Sequence, residues 1–203
     1  MTAALALAVH LVLPLAVSAT PPAEGLERSK AVVQAFLKVP PKPGPARDQA
    51  FAALDGFLDL DGMVAAAIAP RKDKLTPAEL KRFQARFREL LRAVAYTDSG
   101  DFFRSAKLGW GAPRADGEDA VVPTKVSVPK EDLETELEWR WRKVGGVAKL
   151  VDVAFEGDSL VKDYQNQIAR VVDKSGGAGL LKVLDEKWAE LSAPAKPAAG
   201  GKK

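Results

Sequence analysis

Residues 120–173, AVVPTKVSVPKEDLETELEWRWRKVGGVAKLVDVAFEGDSLVKDYQNQIARVVD (Ala120–Asp173), change period once, and that change sets the fold. Thr135, Leu137, Trp139 and Trp141 alternate with Glu136, Glu138, Arg140 and Arg142, the period-two signature of a strand with one apolar face. Beyond Phe155-Glu-Gly-Asp-Ser-Leu160, the residues Leu160, Tyr164, Ile168 and Val172 recur every four positions, as they do along the stripe of a helix. That stripe needs an apolar partner, and the nearest is the sheet face just upstream.

Working outward, Val121–Val128 alternates with Val122, Thr124, Val126 and Val128 on one side, and Pro129–Asp132 turns it into Glu134–Lys143. Gly145-Gly146 turns the chain again into Val147–Phe155. Short turns between consecutive strands predict an antiparallel meander. The last strand carries Val147, Val151, Val153 and Phe155 on one side and Leu150 and Ala154 on the other, which predicts a strand covered on both sides. Upstream, Leu108–Trp110 reads as an irregular or edge strand, and Arg114–Asp119 as a polar hairpin loop.

Helices occupy the first half. Pro21-Pro22 starts one bearing Val32, Val33, Phe36 and Leu37, ended by the proline run 40–45; Phe51, Leu54 and Leu58 mark a second. Leu60, Met63, Val64 and Ile68 mark a third, which stops at Pro70. Thr76-Pro-Ala-Glu79 spells a capping box with Pro at the first helical position, followed by Leu80, Phe83, Phe87, Leu91 and Val94 on one stripe. This helix is predicted from Pro77 to about Tyr96, with Asp98-Ser-Gly100 as a break and Phe102 and Phe103 as one last turn. Two helices finish the chain, Ser159–Asp173 and about Gly179–Leu191, parted by Gly176-Gly177. The sum is an α+β fold, a curved antiparallel sheet of about four strands roofed by six or so helices.

With 203 residues the chain can bury a sizeable core as one domain, 20–192. Met1–Ala19 contains no Lys, Arg, Asp or Glu and ends in Val17-Ser18-Ala19, small residues at the spacing a signal peptidase reads. Cleavage is expected after Ala19, although the segment lacks the usual basic start. There is no cysteine, and the only histidine is His10. Zinc or copper sites built on thiolate or imidazole, Ser-His triads and Cys nucleophiles are therefore excluded from the mature chain. The net charge of +3 is matched by Lys196, Lys202 and Lys203 in a small-residue tail, 193–203, expected to be disordered. The body is thus balanced, which argues against nucleic acid as a partner. Charge is still segregated along the chain: Arg71–Arg92 holds eight basic and three acidic residues, Asp116–Glu138 eight acidic and two basic. Such blocks are ordinary solvated faces or surfaces that steer a partner.

Gly157-Asp-Ser-Leu160 matches the GDSL hydrolase signature, but Ser159 has no downstream histidine to act as its base. A helix cap by Asp158 or Ser159 explains the same residues. Ser159-Leu-Val-Lys162 and Lys174-Ser-Gly176 lie too close together for a penicillin-recognising enzyme. Asp59/Asp61 and Glu136/Glu138 lack the arrangement of an acid/base pair flanking a substrate. Asp152, inside an apolar strand, needs a donor, and a helix N-terminus or an arginine is expected to supply it.

Taken in order, Leu75-Thr-Pro-Ala-Glu79, Phe87-Arg-Glu-Leu90, Val121-Val-Pro-Thr-Lys-Val126 and Leu137-Glu-Trp-Arg-Trp-Arg-Lys143 resemble the MlaC (toluene-tolerance auxiliary) family. Val151-Asp152-Val153, Glu156-Gly157-x-Ser159-Leu160, Tyr164-x-x-Gln167 and Gly179-Leu-Leu181 continue the match, which covers about Phe57 to Leu191. Ala148 and Val151 stand where the family has aromatic residues, and Asp158 where it has Val; smaller side chains there would reshape a pocket. The resemblance implies a monomeric periplasmic protein without catalytic residues, metal or cofactor. It would carry phospholipid between an outer-membrane lipoprotein/porin complex and an inner-membrane ABC transporter.

Under that resemblance the sheet face (Val122, Val126, Leu137, Trp139, Trp141, Val151, Val153) and the roofing helices (Phe83, Phe87, Leu160, Tyr164, Ile168) are the candidate lipid-binding residues. The two layers can close into a core, as in an adaptor without lipid, or part to admit acyl chains. Arg82, Arg88 and Arg92 on the basic helix face are the candidate partner-docking residues.

Overall fold

The computed structural model describes residues 19–192. The expected signal segment, apart from Ala19, and the tail 193–203 lie outside the described residues. Within them the order is α1 (Pro22–Leu37), α2 (Pro45–Asp55), α3 (Leu60–Ile68), a 3-10 turn (Ala69–Lys74) and α4 (Pro77–Ser105). There follow β1 (Lys107–Trp110), β2 (Arg114–Asp116), β3 (Asp119–Val128), β4 (Leu133–Val144), β5 (Val147–Phe155), β6 (Asp158–Ser159) and α5 (Leu160–Ser192).

The meander β3–β4–β5 is antiparallel throughout, with Val122 opposite Trp139 and Thr124 opposite Leu137. Two short strands not anticipated from the sequence extend it. Arg114–Asp116, read as loop, pairs with Asp119–Val121, because Gly117 at φ +61° lets a two-residue turn fold the chain straight back. The two-residue β6 pairs with the end of β5.

β5 departs from its expected alternation. A bulge lies in the pairing, with Arg140 opposite Asp152 but Trp141 opposite Leu150, so Val151 is the extra residue. Ala148 and Leu150 thereby share the inner face with Val153 and Phe155, and Val151 turns outward. β5 is also not central: its far edge is covered only by β6 and by the Phe57–Asp59 segment. There Leu150 donates its N–H to Phe57 O at 2.8 Å and accepts from Asp59 N at 3.0 Å.

α4 starts as the sequence predicts. The Thr76 side chain accepts from Glu79 N at 3.3 Å, and the Glu79 carboxylate accepts from Thr76 N at 2.8 Å. It then runs unbroken through Asp98-Ser-Gly100 to Ser105, contrary to the expected break. Glycine costs a helix interior about 1 kcal/mol, but here α4 passes close to α1: a Cβ at Gly100 would lie 3.0 Å from Phe36 O. The extension carries Phe103 onto Phe36 and Trp139, at ring distances of 5.7 and 5.8 Å.

α1 lies on β3 by a similar device. A Cβ on Gly25 would meet Ala120 Cβ at 2.7 Å, so only glycine allows this contact. Ser29, one turn on, accepts the Trp141 indole N–H at 2.7 Å and donates to Gly25 O. The two expected terminal helices form one interrupted helix, α5, with Gly176 at φ +66° as the joint.

Candidate functional site

Between the inner face of β4–β5 and helices α3, α4 and α5 the layers do not close. They leave a cavity of about 330 Å3. β4 and β5 contribute Leu137, Trp139, Leu150, Val153 and Phe155; α5 contributes Leu160, Val161 and Tyr164. From the other side come Leu58, Leu60 and Met63, then Leu91, Ala95, Phe102 and Phe103 of α4, and Phe36 of α1. Tyr164 aside, Asp98 and Ser99 are the polar residues of this wall, and with the 45 % exposed Phe155 they reach the surface at its rim.

The floor is rigid. Trp139 is almost fully buried, donates its indole N–H to Thr124 Oγ1 at 3.1 Å and stacks on Phe103. An indole whose polar atom is satisfied within the sheet offers the cavity only carbon surface.

The twelve candidate lipid-binding residues divide by position. Leu137, Trp139, Val153, Leu160 and Tyr164 line this cavity. Phe87 and Ile168 lie beyond Tyr164, on a second apolar groove that Tyr164 also lines. Phe83, Val122 and Trp141 are closed core: α1 sits down on the Val122 and Trp141 end of the sheet, and Phe83 stacks on Phe87 within α4. Val126 borders a polar hollow with Lys107, Lys125 and Glu136, and Val151, turned out by the bulge, borders another with Arg140 and Asp152. The small residues Ala148 and Val151 line no part of the cavity and so do not enlarge it.

Sequence reading missed Phe36, Leu58, Met63, Leu150, Phe102 and Phe103 as cavity residues. Phe102 and Phe103 carried a signal, two adjacent aromatics placed in a supposed helix break. Leu150 lay on the wrong face only because the bulge cannot be seen in one strand.

The junction behaves as a structural joint. Ser159 Oγ accepts from Lys162 N at 3.0 Å and donates to Asp152, capping α5. Asp152 also accepts from Val161 N at 3.1 Å and from Val153 N at 2.9 Å, which supplies the helix-terminus donor anticipated for it. The GDSL serine therefore caps a helix, and no histidine stands among the described residues to serve it as a catalytic base. Among the described residues no group of three His, Cys, Asp or Glu could hold a metal, and no helix is long and apolar enough to cross a membrane.

Arginines on the basic face of α4 form ion pairs within the fold. Arg82 pairs with Asp185 at 2.5 Å, Arg88 with Asp61 at 3.0 Å and Arg92 with Asp55 at 3.1 Å. Asp55 also accepts from the buried Tyr96 hydroxyl, whose pKa burial pushes well above the usual phenol value. The three candidate docking arginines thus also bond to α2, α3 and α5, while Arg82 and Arg88 keep 61 % and 45 % of their side chains exposed.

A search of curated protein sequences finds no significant match. A solved structure from Ralstonia solanacearum, described as a phospholipid-binding protein in complex with a phospholipid, superimposes with a TM-score of 0.63. It is 24 % identical and covers 82 % of this chain and 98 % of its own, a likeness of fold. The family model described as MlaC protein matches residues 30–186. The chain belongs to the MlaC family, periplasmic lipid-binding proteins that are not enzymes.

Proposed function

We propose that the protein is a periplasmic phospholipid shuttle, holding lipid by its acyl chains while it crosses between an outer-membrane complex and an inner-membrane ABC transporter. The observation that carries this reading is the open apolar cavity between β4–β5 and the helices. Its size falls in the range of ligand sites, and its wall is carbon apart from the rim and the Tyr164 hydroxyl. Family membership and the phospholipid recorded in the Ralstonia structure support it. A closed-core adaptor would have no reason to keep such a space, since an unfilled apolar void forfeits packing.

The energetics suit a carrier. Each methylene taken from water gains about 0.8 kcal/mol, so two chains of ~15 carbons gain roughly 20–25 kcal/mol against water. A bilayer gives nearly the same, leaving little net preference, and loading and unloading then depend on docking at each membrane.

Native mass spectrometry of protein purified without detergent, with lipid extraction of the same sample, tests the proposal. Phospholipid at defined stoichiometry is expected. A mass that stays lipid-free after incubation with phospholipid vesicles would favour the adaptor and overturn the carrier.

A further inference from the structure

On the far side of Tyr164 from the cavity lies a groove of about 360 Å3 between α4 and both halves of α5, lined by Phe87, Val94, Ile168, Val183, Leu184 and Leu191 among others. Leu91 and Tyr164 belong to the walls of both spaces. Three of its residues are large hydrophobics left in contact with solvent: Val94 at 38 %, Val183 at 39 % and Leu191 at 49 % exposure. Exposed apolar side chains gathered along one concavity mark a surface that takes an apolar occupant.

The cavity alone is small for a diacyl lipid. At about 330 Å3 it lies at the low end of the range of ligand sites. The groove beside it is of similar volume. We propose that the α4–α5 groove is a second acyl-chain subsite, so that one chain of a phospholipid enters the cavity and the other crosses Tyr164 to lie between α4 and α5. This inference rests on the phospholipid-carrier reading above.

Tyr164 is built to yield. Its ring meets Phe87 edge-on at 5.2 Å, and among the described residues its hydroxyl makes no hydrogen bond with another side chain or the backbone. Only van der Waals contact holds the partition, so a rotamer change can join the two spaces without breaking a polar bond. The rim also favours a hydrocarbon over a peptide. Its charged residues, Lys187 and Glu190, bond each other at 2.7 Å, and the α-helical walls leave few backbone groups to pair with an incoming strand.

The test uses the full chain loaded with phosphatidylcholine carrying a diazirine at the end of each acyl chain, photolysed and mapped by peptide mass spectrometry. Adducts are expected both on β4–β5 and on α4 or α5 residues of the groove, such as Val94 or Val183. Adducts confined to the cavity would overturn the second subsite while leaving the carrier reading intact; no lipid in the wild-type protein would overturn both. Independently, Val183→Glu at its exposed position should lower affinity for diacyl phosphatidylcholine relative to lysophosphatidylcholine at least tenfold. An unchanged ratio, whether both affinities hold or both fall together, would overturn the proposal.

Discussion

Trp139 and Thr124 are bonded indole to hydroxyl at 3.1 Å across β3–β4, with both side chains buried on the inner face of the sheet. The bond fixes the largest side chain of the cavity wall in one orientation. Thr124→Val keeps the shape but leaves the indole N–H unpaired, which costs about 1–3 kcal/mol. A lowered thermal midpoint and a shifted tryptophan emission are expected; an unchanged midpoint would show that water or movement satisfies the indole.

Val153, paired with Trp139 across β4–β5, faces the cavity from the same side of the sheet. Val153→Glu sets a carboxylate among carbon walls, and an acyl chain cannot then enter without burying it. Bound phospholipid after detergent-free purification should fall to a small fraction of the wild-type occupancy. Val151→Glu, two residues away on the outer face, should leave occupancy unchanged. Equal effects at the two positions would mean the bulge does not divide them as described.

Ser159→Ala removes the cap of α5 and one partner of Asp152. A lost cap of this kind costs about 1 kcal/mol, readable as a lower denaturant midpoint. Hydrolysis of short-chain esters should match the buffer blank before and after the change. Any activity that Ser159→Ala abolished would reopen the esterase reading.

Asp119 is buried beside Arg140 and Arg142. Burial pushes its carboxyl up, but bonds from Arg142 at 2.6 and 2.8 Å and from Arg140 at 3.0 Å outweigh this, so its pKa lies below the usual value. A carboxyl depressed on folding contributes stability above the unfolded value, near 3.8, and loses it as pH falls through the folded value. Unfolding by urea followed from pH 5 to pH 2 should therefore show a decline that is shallower in Asp119→Asn, which has no proton to gain. Parallel profiles would assign the acid sensitivity elsewhere.

Much of this structure was legible because its signals are local. The capping box at Thr76 and Glu79, the alternation from Thr135 to Trp141 and the period of four from Leu160 each depend on neighbours in sequence, and backbone geometry turns them directly into a helix start, a strand and a stripe. The helix-terminus donor for Asp152 was legible too, because a carboxylate in an apolar strand has few partners within reach.

Apart from the short strands β2 and β6, what could not be read was a property of pairs distant in sequence. That the arginines of the α4 row pair with Asp55, Asp61 and Asp185 could not be read, because these acids come from other elements. Gly100 looked like a stop because its local cost is visible and the compensating contacts of Phe103 are not. The side of β5 on which Val151 falls was set by register against β4.

The sequence by itself thus determined the longer strands and the helix starts, the antiparallel meander and the absence of thiol or imidazole chemistry from the described residues, since these follow from covalent geometry and residue type. Only the tertiary structure decided where the apolar layers close, as under α1 at Trp141, and where they stand apart, as between Trp139 and Tyr164. Burial drives the same side chains inward in both places, and the spacing of opposing backbones, fixed by contacts such as Gly25 on Ala120, determines whether they meet.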